Sequence, residues 1–263
     1  MEYVVSTWSF RHDELPVALD KIAGLKGINH LELVAHEPCL SSEFEFTTES
    51  IETIRNLLSD SDLELVTLSP YTDFLHKETH EREVKRGEDM LEVAQSLGAR
   101  FLRVFIADTA PQTQSDEENT ELASSALERL AAKAFDRGIK LTVETHGKYG
   151  CSVSNLCTIL NSIEGPQVGV TLDSGNLYND GKDPVEVTQE LLSYIDYLHL
   201  KDFLCTDGEL QDCPLGRGEI QNEEILRILE TSGYDGFICP EYEGDQDPAG
   251  SLRESLEYLR NLK

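Results

Sequence analysis

Basic residues are scarce: 22 Lys and Arg stand against 50 Asp and Glu in 263 residues, a formal net charge of −28. A chain this acidic has no face with which to displace counterions from phosphates, which excludes ordinary nucleic-acid binding. Long apolar runs are missing too. No stretch approaches the roughly 18 uninterrupted apolar residues of a membrane helix, and Met1-Glu2-Tyr3 lacks the basic start of a signal peptide. The expectation is a soluble, cytoplasmic protein with no membrane partner. The six cysteines, at 39, 151, 157, 205, 213 and 239, contain no C-x-x-C pair, and a chain of this size needs no staples, so they read as reduced thiols. No G-x-G-x-x-G follows the first apolar run, which counts against an open sheet that binds a dinucleotide. Acid spread along the whole length is the composition that a salt-rich cytoplasm would favour.

What is present is regular. The hydrophobic share of 39%, with 18 Gly added, is enough for a sizeable core. Runs rich in Val, Ile, Leu and Phe recur at Tyr3–Trp8, His30–Val34, Leu63–Ser69, Phe101–Ile106, Lys140–Glu144, Val168–Asp173, Ile195–His199 and Gly236–Cys239, their starts 27 to 41 residues apart. Between them apolar residues repeat at three and four, as in Ile51, Ile54, Leu57 and Leu58, or Leu122, Ala126, Leu127, Leu130 and Ala134, which predicts amphipathic helices. Ser115 with Glu118 forms a capping box for the long helix, and Gly138 and Gly98 stand where two helices should stop. Eight near-continuously apolar strands alternating with helices predict an α/β fold, a (β/α)8 TIM barrel forming a single domain over 1–263.

In such a barrel chemistry sits at the C-terminal ends of the strands. There the sequence places Glu144, Asp173, His199 and Glu241, on four consecutive strands. Three carboxylates at one rim would repel one another unless a cation joined them, so a divalent metal is the economical explanation. Three oxygen ligands and one imidazole suit Mn²⁺ or Mg²⁺, with Co²⁺ or Zn²⁺ as alternatives.

At these residues the sequence resembles the xylose-isomerase-like barrel superfamily, which includes sugar and sugar-phosphate isomerases and epimerases, inosose dehydratases, dehydroshikimate dehydratases and endonuclease IV. The stretches that carry the resemblance are VETHG, TLDSGNLYNDGKDP, YLHLKD, LGRGEI and GYDGFICPEYEG, in that order. The resemblance implies a metal held by Glu144, Asp173, His199 and Glu241, with the two glutamates doubling as catalytic acid/base groups. It also implies a homo-oligomer, relatives often being dimers or tetramers. One position departs from the pattern. Many relatives carry His three residues after the Asp; here that residue is Asn176, which can hydrogen-bond a substrate or a ligand but cannot supply a proton at neutral pH.

Neighbouring residues are candidates for substrate binding, each with a plainer alternative. His146, two residues past Glu144, could meet a substrate hydroxyl or be an ordered loop histidine. Lys201 could neutralise an enediolate oxygen or pair with the acidic rim. Arg217, in the long loop after the seventh strand, could reach a phosphate or sugar hydroxyl or stay on the surface. Trp8, Tyr71 and Phe105 could wall the site against a sugar's C–H face or be ordinary core. Arg103 points into or out of the barrel depending on register. His12, His30, His36, His76 and His80 read as surface or loop histidines, and Cys239 as packing.

The function expected is a divalent-metal-dependent isomerase or epimerase acting on a sugar, sugar phosphate or polyol. One glutamate would take a proton next to the carbonyl to give a metal-stabilised enediolate, and the other would return one. β-Elimination begins with the same abstraction, so a lyase resembling inosose or dehydroshikimate dehydratase is the nearest alternative. An endonuclease IV-like phosphodiesterase would need more strand-end histidines and a basic surface, and a non-catalytic binding barrel is the remaining reading.

Overall fold

The structure, a computed structural model, describes residues 1–41 and 44–262. The first strand position is split at Val4 into β1 (Glu2–Tyr3) and β2 (Val5–Ser6). It is followed by β3 (His30–Val34), β4 (Glu64–Ser69), β5 (Phe101–Val104), β6 (Lys140–Glu144), β7 (Gly169–Asp173) and β8 (Ile195–Leu200). A hairpin of β9 (Phe203–Thr206) and β10 (Glu209–Asp212) then precedes the last barrel strand, β11 (Phe237–Pro240). Between strands run α1 (Leu15–Ala23), α2 (Thr48–Asp60), α3 (His80–Leu97), α4 (Asp116–Asp136), the short α5 (Gly147–Gly150), α6 (Val153–Ser162), α7 (Ser174–Asn179), α8 (Pro184–Leu191) and α9 (Asn222–Thr231), with α10 (Pro248–Asn261) last.

All barrel neighbours are parallel. The two pieces of the first strand close the sheet: β1 pairs with β11 through Glu2↔Phe237 and Tyr3↔Ile238, and β2 pairs with β3 through Val5↔Leu31 and Ser6↔Glu32. The expected (β/α)8 barrel is therefore the observed one. Two strands end earlier than their apolar runs, for local reasons. Ser6 Oγ accepts from Trp8 N–H at 3.1 Å and starts a 3₁₀ turn over Thr7–Phe10, while Phe105 N–H turns aside to Thr72 Oγ1 at 2.9 Å. The long α4 opens on the Ser115–Glu118 capping box and buries Ala126, Leu127, Leu130 and Ala134; it ends just before Gly138, as its sequence predicts.

Strands β3, β7 and β11 are buried along their whole length, one face under the helices and one inside the barrel. The interior begins with an apolar plug of Val4, Val66, Phe101, Tyr197, Phe237 and Cys239. Because side chains alternate along a strand, the positions two residues on point to the same interior. Tyr197 leads to His199 and Lys201, Phe101 to Arg103 and Phe105, and Cys239 to Glu241, so the plug is the floor on which a charged layer stands. Arg103 accordingly points inward.

Candidate metal and substrate site

Glu144 ends β6, Asp173 ends β7, His199 lies on β8, and Glu241 follows β11, where its N–H still donates to Leu200 O at 2.9 Å. All four side chains are buried. His199 Nδ1 stands 3.8 Å from Glu144 Oε1, 3.7 Å from Asp173 Oδ2 and 3.8 Å from Glu241 Oε2. The donor atoms of Glu144, Asp173 and His199 lie within 4.8 Å of one another.

Local structure fixes how each points. Asp173 caps α7: its Oδ1 accepts from the N–H groups of Gly175 and Asn176, both at 2.8 Å, which leaves Oδ2 facing His199. Glycine is required at 175 because a Cβ there would lie 2.6 Å from Lys201 Cβ. Asn176 Nδ2 donates to Glu144 Oε1 at 3.0 Å, and its Oδ1 accepts from Lys201 Nζ at 3.3 Å. Lys201 Nζ sits 3.1 Å from both Asp173 Oδ2 and Glu241 Oε2 and also pairs with Glu243.

Sequence reasoning missed Glu32, which is completely buried in the middle of β3. Its Oε2 accepts from His199 Nε2 at 2.8 Å, its Oε1 accepts from Ser69 Oγ at 2.7 Å, and Arg103 approaches it at 3.4 Å. Arg103 Nε is also 3.0 Å from Glu144 Oε2. A carboxylate on Nε2 makes that nitrogen the donor, so a neutral His199 carries its lone pair on Nδ1, towards Glu144, Asp173 and Glu241. The available signal was a charged residue inside the otherwise apolar run HLELV, in a strand buried on both faces.

Burial and charge set the protonation of the cluster. Burial pushes Glu144 up to about 7, with Asp173 and Glu241 adding to it against Arg103 and His199. Burial likewise raises Glu241, in spite of Lys201 and His199. Burial also acts to raise Glu32, but His199 and Arg103 overcome it and hold that carboxyl at about 2. Desolvation acts against the His199 imidazolium, yet Glu32, Glu241 and Glu144 raise its pKa well above 6.5.

The donor set fits a divalent cation. His199 Nδ1 is buried at this focus with no hydrogen-bond partner, 3.7 to 3.8 Å from an oxygen of each of three buried carboxylates, while Lys201 and Arg103 offset only part of their charge; an imidazole lone pair among carboxylates suits a cation. Such an ion would be held by Glu144, Asp173, His199 and Glu241, with Glu32 orienting the imidazole.

The cluster opens into a cavity of about 260 Å³. Its opposite wall is a chain of rings: Trp8 to His36 (centroids 5.6 Å apart), His36 to Tyr71 (5.7 Å), Tyr71 to Phe105 (5.7 Å) and Phe105 to His146 (4.1 Å). The cavity therefore brings together Trp8, Tyr71, His146, Asn176 and Lys201 with Glu144, His199 and Glu241, while Asp173 lies behind its lining. It does not include Arg217. That side chain is exposed and meets Glu254 at 3.4 Å, while its loop wraps Asp202, whose carboxylate accepts from the N–H groups of Gly216, Gly218 and Ile220 at 2.9 to 3.0 Å.

Two of the histidines read as surface or loop residues are otherwise placed: His30 is buried on β3, with Nε2 3.4 Å from Glu2, and His80 is buried at the start of α3 and bonds Phe74 O at 2.8 Å. His36 does lie in a loop, after β3, and it joins the ring wall, where burial lowers its pKa to about 4. The hairpin was missed as well. Asp207 and Gly208 both have positive φ, the turn that an Asp-Gly pair between two short β-prone runs favours. Cys239 packs in the interior plug. Among the described residues no helix is long and apolar enough to cross a membrane.

The chain belongs to the xylose isomerase-like TIM barrel family, whose model matches residues 19–262. It is 24% identical over 235 residues to an inosose dehydratase of Clostridium perfringens, covering 79% of this chain and 77% of that one. Among solved structures it resembles a D-tagatose 3-epimerase-like protein, with a TM-score of 0.79 at 24% identity and coverage of 100% and 98%. It also resembles a xylose isomerase-like TIM barrel protein from Mycobacterium smegmatis in complex with magnesium, with a TM-score of 0.80 at 19% identity and coverage of 99% and 96%.

Proposed function

We propose that this chain is a divalent-metal-dependent isomerase or epimerase of a small sugar or polyol, working by proton transfer at a carbon next to a carbonyl. The observation that carries the reading is the focus of three buried carboxylates around the unbonded Nδ1 of His199 beside a ring-walled cavity. Mn²⁺ or Mg²⁺ suits a set of three carboxylates and one imidazole, and Co²⁺ or Zn²⁺ could substitute. A bound cation would supply Lewis acidity, polarising a carbonyl and acidifying the neighbouring C–H.

The residues of the chain do the rest. Glu144 and Glu241 approach the focus from β6 and β11, with Asp173 and His199 between them, so they face a bound carbon from different sides. Burial raises Glu144 in the metal-free cluster, and a cation held beside it would favour the ionised carboxylate, the form that takes a proton. Arg103 and Asn176 hold its carboxylate in place. Lys201, beside Glu241, supplies a cation that can balance negative charge building on a substrate oxygen. The ring wall excludes water and offers apolar faces to C–H groups.

A lyase on the same site is the second reading, supported by the dehydratase among the relatives. The test is incubation of metal-loaded protein with ketoses and inososes in deuterated water. Deuterium in recovered sugar without loss of water supports the isomerase or epimerase, an enone absorbance supports the lyase, and neither with any substrate under full metal loading counts against both.

A further inference from the structure

On the ring wall, three residues from three strand ends form a chain that the metal-centred chemistry leaves unused. His146 Nδ1 stands 3.1 Å from Asp108 Oδ1, and the Tyr71 hydroxyl donates to Asp108 Oδ2 at 2.7 Å. His146 Nδ1 and Asp108 Oδ1 are buried and neither has a hydrogen-bond partner, so two orphaned atoms face each other at ion-pair distance. Backbone holds the same contact. Lys148 N–H donates to Asp108 O at 3.0 Å, and Gly147, at φ 64°, lies so close that a Cβ there would strike the Asp108 carbonyl oxygen. Glycine directly after His146 is thus what lets the two loops meet. The imidazole plane is set by Phe105, whose ring centroid lies 4.1 Å from that of His146.

We propose that Asp108 is a positioning residue for His146, fixing the tautomer with the proton on Nδ1 and leaving Nε2 to accept a hydrogen bond from a substrate hydroxyl. An ionised carboxylate can only accept, so the nitrogen beside it must donate, and a neutral imidazole then has one acceptor left. The Tyr71 hydroxyl occupies the second carboxylate oxygen and keeps the group from turning away. That the partner of Nε2 is a hydroxyl rests on the sugar or polyol reading above; the tautomer does not.

The test is nitrogen-15 NMR of histidine-labelled, Mg²⁺-loaded protein at neutral pH without substrate, with His146 assigned by its loss in H146Q. The expected spectrum shows Nδ1 protonated and Nε2 bare. In D108N the amide oxygen keeps the Tyr71 hydroxyl, which turns the amide NH2 to Nδ1, so the proton should move to Nε2, and D108E should keep the parent tautomer. Once a substrate is found, D108N should raise KM about tenfold with metal content unchanged, the size of one neutral hydrogen bond. A proton on Nε2 in the parent overturns the proposal whatever the variants do, and so does an unchanged tautomer in folded D108N. Failure of the metal-enzyme reading looks different: no metal uptake and no exchange, with the tautomer as expected.

Discussion

Replacing Glu32 with glutamine removes one charge from beneath the ligand cluster while keeping its volume. Glu32 Oε2 is the acceptor for His199 Nε2 at 2.8 Å, the bond that turns Nδ1 towards Glu144, Asp173 and Glu241. Outer carboxylates that orient a ligating histidine are worth about 10- to 100-fold in metal affinity, or about 1.4 to 2.7 kcal/mol. A second effect runs the other way. Burial disfavours the His199 imidazolium, but Glu32 leads the attractions that hold its pKa well above 6.5, so at neutral pH an incoming metal must displace a proton. The sign follows: the parent's apparent affinity falls by about tenfold per unit as pH drops below that raised pKa. E32Q lowers the His199 pKa, so its proton competition begins at lower pH. The two profiles should stand about 10- to 100-fold apart at alkaline pH and converge on acidification. Calorimetric titration of Mn²⁺ or Mg²⁺ across this range measures both features. An E32Q protein that binds within about twofold of the parent at alkaline pH, or whose deficit is the same at every pH, refutes the reasoning.

The ligand set itself is tested by H199A and D173N, each of which should lose bound metal and activity together. D173N keeps an oxygen to cap α7, so normal metal content in both folded variants, measured by elemental analysis, would sink the assignment. E144Q and E241Q should retain some metal while turnover falls by at least about 10²-fold, and parent rates in both would move proton transfer to other residues. G175A drives a Cβ into the Lys201 side chain 2.6 Å away and should lower the melting temperature by the equivalent of about 1 to 3 kcal/mol; an unchanged value would show that Lys201 can move aside. R217A, at an exposed side chain paired with Glu254, should leave stability and KM within about twofold, and a large rise in KM would bring its loop to the substrate.

How much of this could be read in advance depends on whether the signal was local. The barrel was legible because eight apolar runs alternate with periodic helices, and a parallel sheet buried on both faces writes itself into sequence as continuous hydrophobicity. Glu144, Asp173, His199 and Glu241 stood out because each interrupts such a run at its end. Glu32 interrupts one in the middle, and its partner His199 lies 167 residues away, so no spacing rule joins the two. Asp108 and Tyr71, 37 residues apart, meet only because β4 and β5 are neighbours. Arg217 shows the converse: a cation near a recognisable motif faces solvent, because the glycines flanking it are used to wrap Asp202. The direction of a side chain at a loop is set by what the backbone must satisfy, which a residue's identity does not reveal.

The rim divides along the chain in a way that bears on how such a site changes. Glu144, Asp173, His199, Lys201 and Glu241 all come from β6 onwards, where the motif stretches that resemble the family are concentrated. Trp8, His36, Tyr71 and Phe105 come from the strand ends before β6 and supply shape. His146 stands at the junction, two residues from a ligand and stacked on the last ring of the wall. Under the proposed function, proton transfer would draw on the second half, with Glu32 and Arg103 reaching across from the first to hold His199 and Glu144, whereas the rings of the first would choose the sugar face that lies against the site. A chain can therefore keep the reaction's first step and change its substrate by altering rings that touch no ligand.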